Sequence, residues 1–299
     1  MPLGLEHGLI AALCWGSTDV AGTISGRRLG SLRVVAVAQL TSVIVAVALA
    51  VSRGVGLPSD PGAFALAALF GAVAALAYLS FFTALRIGPL SVVSPVVAAY
   101  GGLTVVVSVL VRGETLTPFQ GLGAALATAG VILTGLVTDG GWRGTRIVGR
   151  GVLFSIFAMF LFTVLTAGLA TPIAIAGWLP VLLVSRLANA ATVWSILAVI
   201  TIAKPPRAAV LLRGAGGSPV PVGRAIVVAG AAGLLDIIGF VAFAIGLEVA
   251  PTWIVGLASS FGPAVAVIVA VVVWGERLRP TQWLGLAGIA AGLVAVALP

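Results

Sequence analysis

Residues 112–130 read RGETLTPFQGLGAALATAG, and residues 274–292 read WGERLRPTQWLGLAGIAAG. The shared frame G-E-x-L-x-P-x-Q-x-L-G sets Glu114 against Glu276, Pro118 against Pro280, Gln120 against Gln282 and Gly130 against Gly292, every pair 162 residues apart. The same offset joins Pro89, in ALRIGPLSVV (84–93), to Pro251, in AIGLEVAPTWIV (244–255). It holds without a gap from Pro89 to Gly130. Scattered Val and Ala identities arise readily in apolar text; a spaced frame of acid, proline and glutamine does not. The second half of the chain therefore repeats the first.

What is repeated is apolar. Of 299 residues, 61% are hydrophobic and 8% charged, and the mean hydropathy is +1.24. A soluble domain cannot hide that much apolar surface, whereas a bilayer accepts it as helices of about 20 residues whose backbone groups are satisfied internally. The pattern predicts ten spans, near 4–26, 32–52, 63–85, 90–111, 118–137, 149–171, 177–202, 224–247, 251–274 and 280–298. Five spans per copy is an odd number, so the second copy enters from the opposite face, and the halves are related by an axis lying in the membrane plane. The expected architecture is an all-α membrane protein of ten transmembrane helices, built as two inverted five-helix repeats around a central cavity. Residues 1–138 form the first repeat, 139–148 a cytoplasmic linker and 149–299 the second repeat.

The net charge of +8 would suggest nucleic acid in a soluble protein. Here the basic residues sit at helix ends without aromatic interleaving and read as topology signals, with no nucleic-acid partner. Loops on the side of the termini carry Arg53 and Arg112; the opposite set carries the rest of the loop arginines and the lysine, including Arg27, Arg28, Arg143, Arg146, Lys204 and Arg207. The positive-inside rule puts that second set in the cytoplasm and both termini outside, across a bacterial inner membrane. Equivalent loops of the two halves have opposite charge habits, as opposite insertion requires. The first apolar segment follows Glu6 and His7 with no basic stretch, so it reads as a retained helix rather than a cleaved signal.

Local chemistry fits these boundaries. Thr117-Pro118-Phe119-Gln120 reads as a capping box with proline at the first helical position. Gly22 with Gly26, Gly123 with Ala127, and Gly288 with Gly292 are spaced for close helix packing.

ALCWGSTDV (12–20), ALRIGPLSVVSPVVAAYGG (84–102) and the paired G-E-x-L-x-P-x-Q motifs resemble the EamA-type members of the drug/metabolite transporter superfamily. Within it the chain is most similar to the YddG-type amino-acid exporters. The resemblance implies a ten-helix exporter of small metabolites, in which spans 1 to 4 and 6 to 9 surround the path while 5 and 10 brace it. The second-half counterpart of ALCWGSTDV, FSIFAMFLFTV (154–164), lacks Trp-Gly, so the part played by Trp15-Gly16 is not symmetric.

Polar and ionisable groups inside spans are costly and mark the candidates. Asp236 falls near the middle of its span; it is either a cavity-wall group that binds a substrate ammonium or carries a proton, or a partner in an interhelical ion pair. Asp19, one turn from Trp15, either faces the cavity or pairs with Arg27 or Arg28. Arg186 heads a polar stripe with Ser185, Asn189, Thr192 and Ser195, and either holds a substrate carboxylate or snorkels to the outer surface. Tyr78 and Tyr100, with Trp15 and Phe82, suit an apolar wall with polar handles. Ser94, Thr163, Ser259 and Ser260 are hydrogen-bonding candidates, as is Thr166. Trp253 reads as an interfacial belt residue. Glu114 and Glu276 read as corner and helix-dipole groups. Tyr100-Gly101-Gly102 aligns at the 162 offset with Gly262-Pro263-Ala264, and corresponding Gly and Pro interruptions in two halves point to a transport site or hinge at Gly101, Gly102, Gly262 and Pro263.

These features predict a secondary transporter that exports amino acids, aromatic or hydrophobic ones favoured, or related small metabolites by alternating access. The competing reading is a proton-coupled exporter of cationic drugs. An intramembrane enzyme is disfavoured: one histidine and one cysteine, Cys14, leave little for metal or nucleophilic chemistry, and no catalytic motif is present. No cofactor and no metal are expected. The expected partners are a small-molecule substrate and the lipid bilayer, and a monomer suffices.

Overall fold

The computed structural model describes residues 4–87, 90–135, 150–203, 211–212, 214, 220–265 and 280–297. Eleven helices account for nearly all of them: α1 Leu5–Leu29, α2 Ser31–Ser52, α3 Pro61–Ile87, α4 Leu90–Ala98, α5 Tyr100–Arg112, α6 Pro118–Gly135, α7 Arg150–Ala176, α8 Trp178–Ala203, α9 Val222–Val249, α10 Thr252–Ser259 and α11 Pro280–Ala297. Among the described residues no strand occurs. The linker expected at 139–148, Pro89, Glu276 and the end of the ninth span lie outside the described residues.

Among the described residues seven runs are long and apolar enough to cross a membrane, with α4 and α5 counted as the single run Val93–Arg112. Pro118–Leu133 and Thr252–Val265 are shorter apolar helices. Leu5–Leu29 has the length, but Asp19 and its many Gly, Ser and Thr residues dilute its hydropathy. Outward faces are apolar too: Leu110 is 77% and Ile202 81% exposed, as lipid-facing positions should be. The protein is a multi-pass, all-helical membrane protein.

Two boundaries differ from expectation. The sixth span runs to Ala176 rather than 171, straight through Pro172, because proline is tolerated where neighbouring helices re-satisfy the freed carbonyl. The fourth span breaks at Ala99, and the helix that begins at Thr252 gives way to a turn at 260–261. The breaks stand at matching positions under the 162 offset, one or two residues ahead of the expected Gly and Pro weak points.

Both repeats open with the same corner. Gly30, at φ 86°, is the whole link between α1 and α2, and Gly177, at φ 79°, is the whole link between α7 and α8. Left-handed φ at a helix C-terminus suits glycine and costs other residues strain. The capping box forms as read: the Thr117 N–H donates to Gln120 Oε1 at 3.0 Å and the Gln120 N–H to Thr117 Oγ1 at 3.2 Å.

The helices pack in reciprocal pairs. α6 lies along α11, α5 on α10 and α2 on α8; α1 packs on α9 as α3 does on α7; α2 packs on α9 as α3 does on α8. The α6–α11 seam is glycine-lined: a Cβ at Gly130 would stand 2.6 Å from the Ile289 nitrogen, and one at Gly292 2.6 Å from the Ala127 nitrogen. Gly22 packs on the Phe82 ring, whereas Gly26 meets nothing and is not a packing position.

Candidate functional site

The reciprocal packing leaves a hollow where α1, α3, α4, α5, α7, α9 and α10 converge, with about 720 Å³ of unfilled space counting the part open to solvent. Its wall repeats one helical arithmetic. Trp15, Thr18 and Asp19 on α1, Tyr78, Phe81 and Phe82 on α3, and Phe162, Leu165 and Thr166 on α7 each occupy positions i, i+3 and i+4, which share a face. Phe240 and Phe243 come from α9, Ser94, Val97 and Tyr100 from the broken fourth span, and Ser259, Ser260, Gly262 and Pro263 from the matching break.

The wall is mostly aromatic. Phe162 stands edge-on to Tyr78 with centroids 5.4 Å apart, and 5.9 Å from Tyr100; Trp15 lies 5.4 Å from Phe243. Such tilted and edge contacts add to the energy of burial and fix ring orientation. Most polar handles are spoken for. The Tyr100 hydroxyl lies 2.9 Å from Ser259 Oγ. Ser259 and Ser260 bond back to the carbonyls of Gly256 and Leu257, and Thr18 donates to Cys14 and Ala232 carbonyls.

Behind Tyr78 and Phe240 sits a buried ionic network. Asp236 Oδ2 lies 2.6 Å from Arg186 Nη1, both side chains 2% exposed. Asp236 Oδ1 accepts the Tyr78 hydroxyl at 2.5 Å, and Arg186 Nη1 reaches Gln39 Oε1 at 3.4 Å. The guanidinium carbon stands 3.9 Å from the Phe240 ring centroid, a cation–π contact. Trp15 Nε1 donates to the Asp236 backbone carbonyl at 3.4 Å. Five helices thus meet at one ion pair: α1, α2, α3, α8 and α9.

Several expectations change. Arg186 does not snorkel to the surface; it is buried and neutralised, because the opposed carboxylate makes burial cheaper than extension toward water. Asp236 is not a wall residue: both its oxygens are engaged behind the wall. Asp19 lines the cavity and forms no ion pair with Arg27 or Arg28. Thr163 turns away, donating to the Met159 carbonyl at 2.9 Å. Gly101 and Gly102 do not line the cavity; Gly101 lets α5 approach the Ser260 side chain, and Gly102 lies against Thr128. Trp253 is no belt residue, being 1% exposed. The role of α2 and α8 also differs from that implied by the resemblance: they hold the network but contribute no wall residue among those described.

Trp253 is held from another loop. The Glu114 carboxylate accepts the Thr252 N–H at 3.2 Å and the Trp253 N–H at 3.1 Å, capping the start of α10 rather than of its own helix. Arg112 Nε stands 3.1 Å from the same carboxylate and its Nη1 reaches the Thr171 hydroxyl on α7 at 3.1 Å.

The wall residues that the sequence reading passed over are Thr18, Phe81, Val97, Ala98, Phe162, Leu165, Phe240 and Phe243. Stepping three residues on from Trp15 and Tyr78, and four and seven on from Asp236, reaches Thr18, Phe81, Phe240 and Phe243, so for these the signal was helical spacing from the polar anchors.

Residues 3–136 match the model of the EamA-like transporter family. That stretch, a little under half of the chain, is similar to the family. A crystal structure of a protein superposes on 98% of this chain and 95% of its own with a TM-score of 0.76 at 22% identity, a likeness of fold. No curated protein matches. The matched stretch supplies Trp15, Asp19, Tyr78 and Tyr100 to the wall.

Proposed function

We propose that the chain is a secondary transporter that exports small organic solutes with an apolar or aromatic group, amino acids and related metabolites among them, by alternating access through the central cavity. One observation carries the reading: an aromatic hollow within a helix bundle, walled by helices from both halves and flanked by two spans that break at equivalent positions.

The inverted repeat, residues 1–138 and 149–299, is part of this proposal. Exchanging the halves turns the α1–α9 contact into the α7–α3 contact, the α2–α9 contact into α8–α3, and returns α2–α8, α5–α10 and α6–α11 to themselves. The single-glycine corners at Gly30 and Gly177 fall at equivalent places. The breaks at Ala99 and at 260–261, with Gly101, Gly102, Gly262 and Pro263 beside them, act as hinges that let one half tilt against the other. The basic loops face the cytoplasm of a bacterial inner membrane and the termini face out. The resemblance of the sequence to YddG-type amino-acid exporters favours a metabolite as cargo.

Counterflow into liposomes holding the purified protein, screened with labelled amino acids, organic amines and sugars, tests the function. Accumulation of a solute that bears an aromatic or apolar group is expected. Failure of every such solute with folded protein overturns the reading.

A further inference from the structure

Asp19 is the one charged side chain among the described residues that line the cavity. It is half-buried, and among the described residues its carboxylate has neither a hydrogen bond nor an ion pair. An acid inside a membrane bundle ordinarily faces a partner or water. Here it faces aromatic rings: Trp15 is one turn before it on α1, and Phe82, Tyr100 and Phe243 belong to the same wall. The negative faces of such rings favour a cation.

The wall offers nothing of the opposite sign. Arg186 stands outside it, neutralised by Asp236 at 2.6 Å and stacked against Phe240. A ligand carboxylate would therefore find no cationic donor in the wall. A ligand ammonium would gain a charge-assisted hydrogen bond and a ring cage.

From this arrangement we infer that the cavity selects organic monocations, an amine on an aromatic or apolar body, with Asp19 as counter-ion, over the zwitterion bearing the same side chain. The inference rests on the transporter reading of the cavity and orders the solutes within it.

Isothermal titration of the full-length protein in nanodiscs with tryptamine, tryptophan and tryptophol tests it, since the three share one ring system and differ in head group. Tryptamine binds at least about tenfold tighter than either of the others, the factor expected when one favourable charge contact is gained. Asp19→Asn lowers the tryptamine affinity by about tenfold and leaves tryptophol unchanged. The comparison of ammonium with hydroxyl on the unaltered protein decides the matter even if the variant does not fold. Equal affinity for tryptamine and tryptophol, tighter binding of tryptophan, or no tryptamine binding by protein of unchanged gel-filtration profile overturns the inference. Selective tryptamine binding without counterflow of any solute leaves the inference standing and sinks transport. Counterflow of other solutes without tryptamine binding does the reverse.

Discussion

Asp236 and Arg186, 2.6 Å apart and each 2% exposed, hold one another inside the bundle. Removing one leaves the other buried without its counter-charge. Arg186→Ala is expected to destabilise the protein by about 3–5 kcal/mol, read as a large drop in melting temperature in detergent. Replacing both, Arg186→Met with Asp236→Leu, restores most of the loss, because the desolvation cost of the pair disappears with its attraction. A melting temperature for Arg186→Ala equal to that of the unaltered protein would show that the pair is not closed. Tyr78→Phe keeps the ring and deletes the hydroxyl that donates to Asp236; about 1.5–3 kcal/mol should be lost, since the acceptor is charged. At this scale the sequence showed which residues were unusual but not how they were paired. Asp19, Arg186 and Asp236 stood out as charges in apolar text. Partner choice depends on which helices touch, and Arg186 and Asp236 lie on different helices, 50 residues apart in sequence. Phe162 carried no mark at all, because a phenylalanine in a lipid-facing, packed or cavity-facing position reads the same.

Helix ends and breaks are where the elements announce themselves. Pro118, Pro251 and the Thr117–Gln120 capping box were legible because proline and capping pairs have fixed positional meaning. The cap that Glu114 places on α10 was not, since its partners Thr252 and Trp253 belong to the other half of the chain. Glu114→Ala frees both N–H groups. The cost should be about 0.5–2 kcal/mol, the usual worth of a cap, and hydrogen exchange at the Thr252 and Trp253 amides should quicken while the amides of α8 hold their rates. Unchanged exchange at those two amides would mean that the cap carries no weight. The glycine seam between α6 and α11 gives a second test. Gly130→Leu places a side chain against backbone atoms of Gly285 and Ile289 and must part the helices. A loss of melting temperature is expected with the cavity wall untouched, because neither helix contributes to it. A variant as stable as the parent would show that the helices do not meet so closely.

The scale of the whole molecule is where the repeat acts. An offset of 162 residues, an odd span count and opposed loop charges lead from the sequence to the proposed inverted repeat. Hydropathy fixed the spans to within a few residues at most ends, because membrane thickness sets helix length; it failed at Pro172, where tertiary contacts override a local breaker. What hydropathy does not encode is the hollow. Its walls depend on which apolar faces fail to meet, a property of seven helices together. The central claim is that this hollow opens in turn to each side of the membrane. Membrane-impermeant maleimide labelling of Ser94→Cys, placed in a Cys14→Ser background and reconstituted in liposomes of known orientation, tests it most directly, since Ser94 lines the cavity beside the break at Ala99. Labelling from either face, slowed by a bound solute, is the expected result. Labelling from one face only, or none from either, would contradict the account.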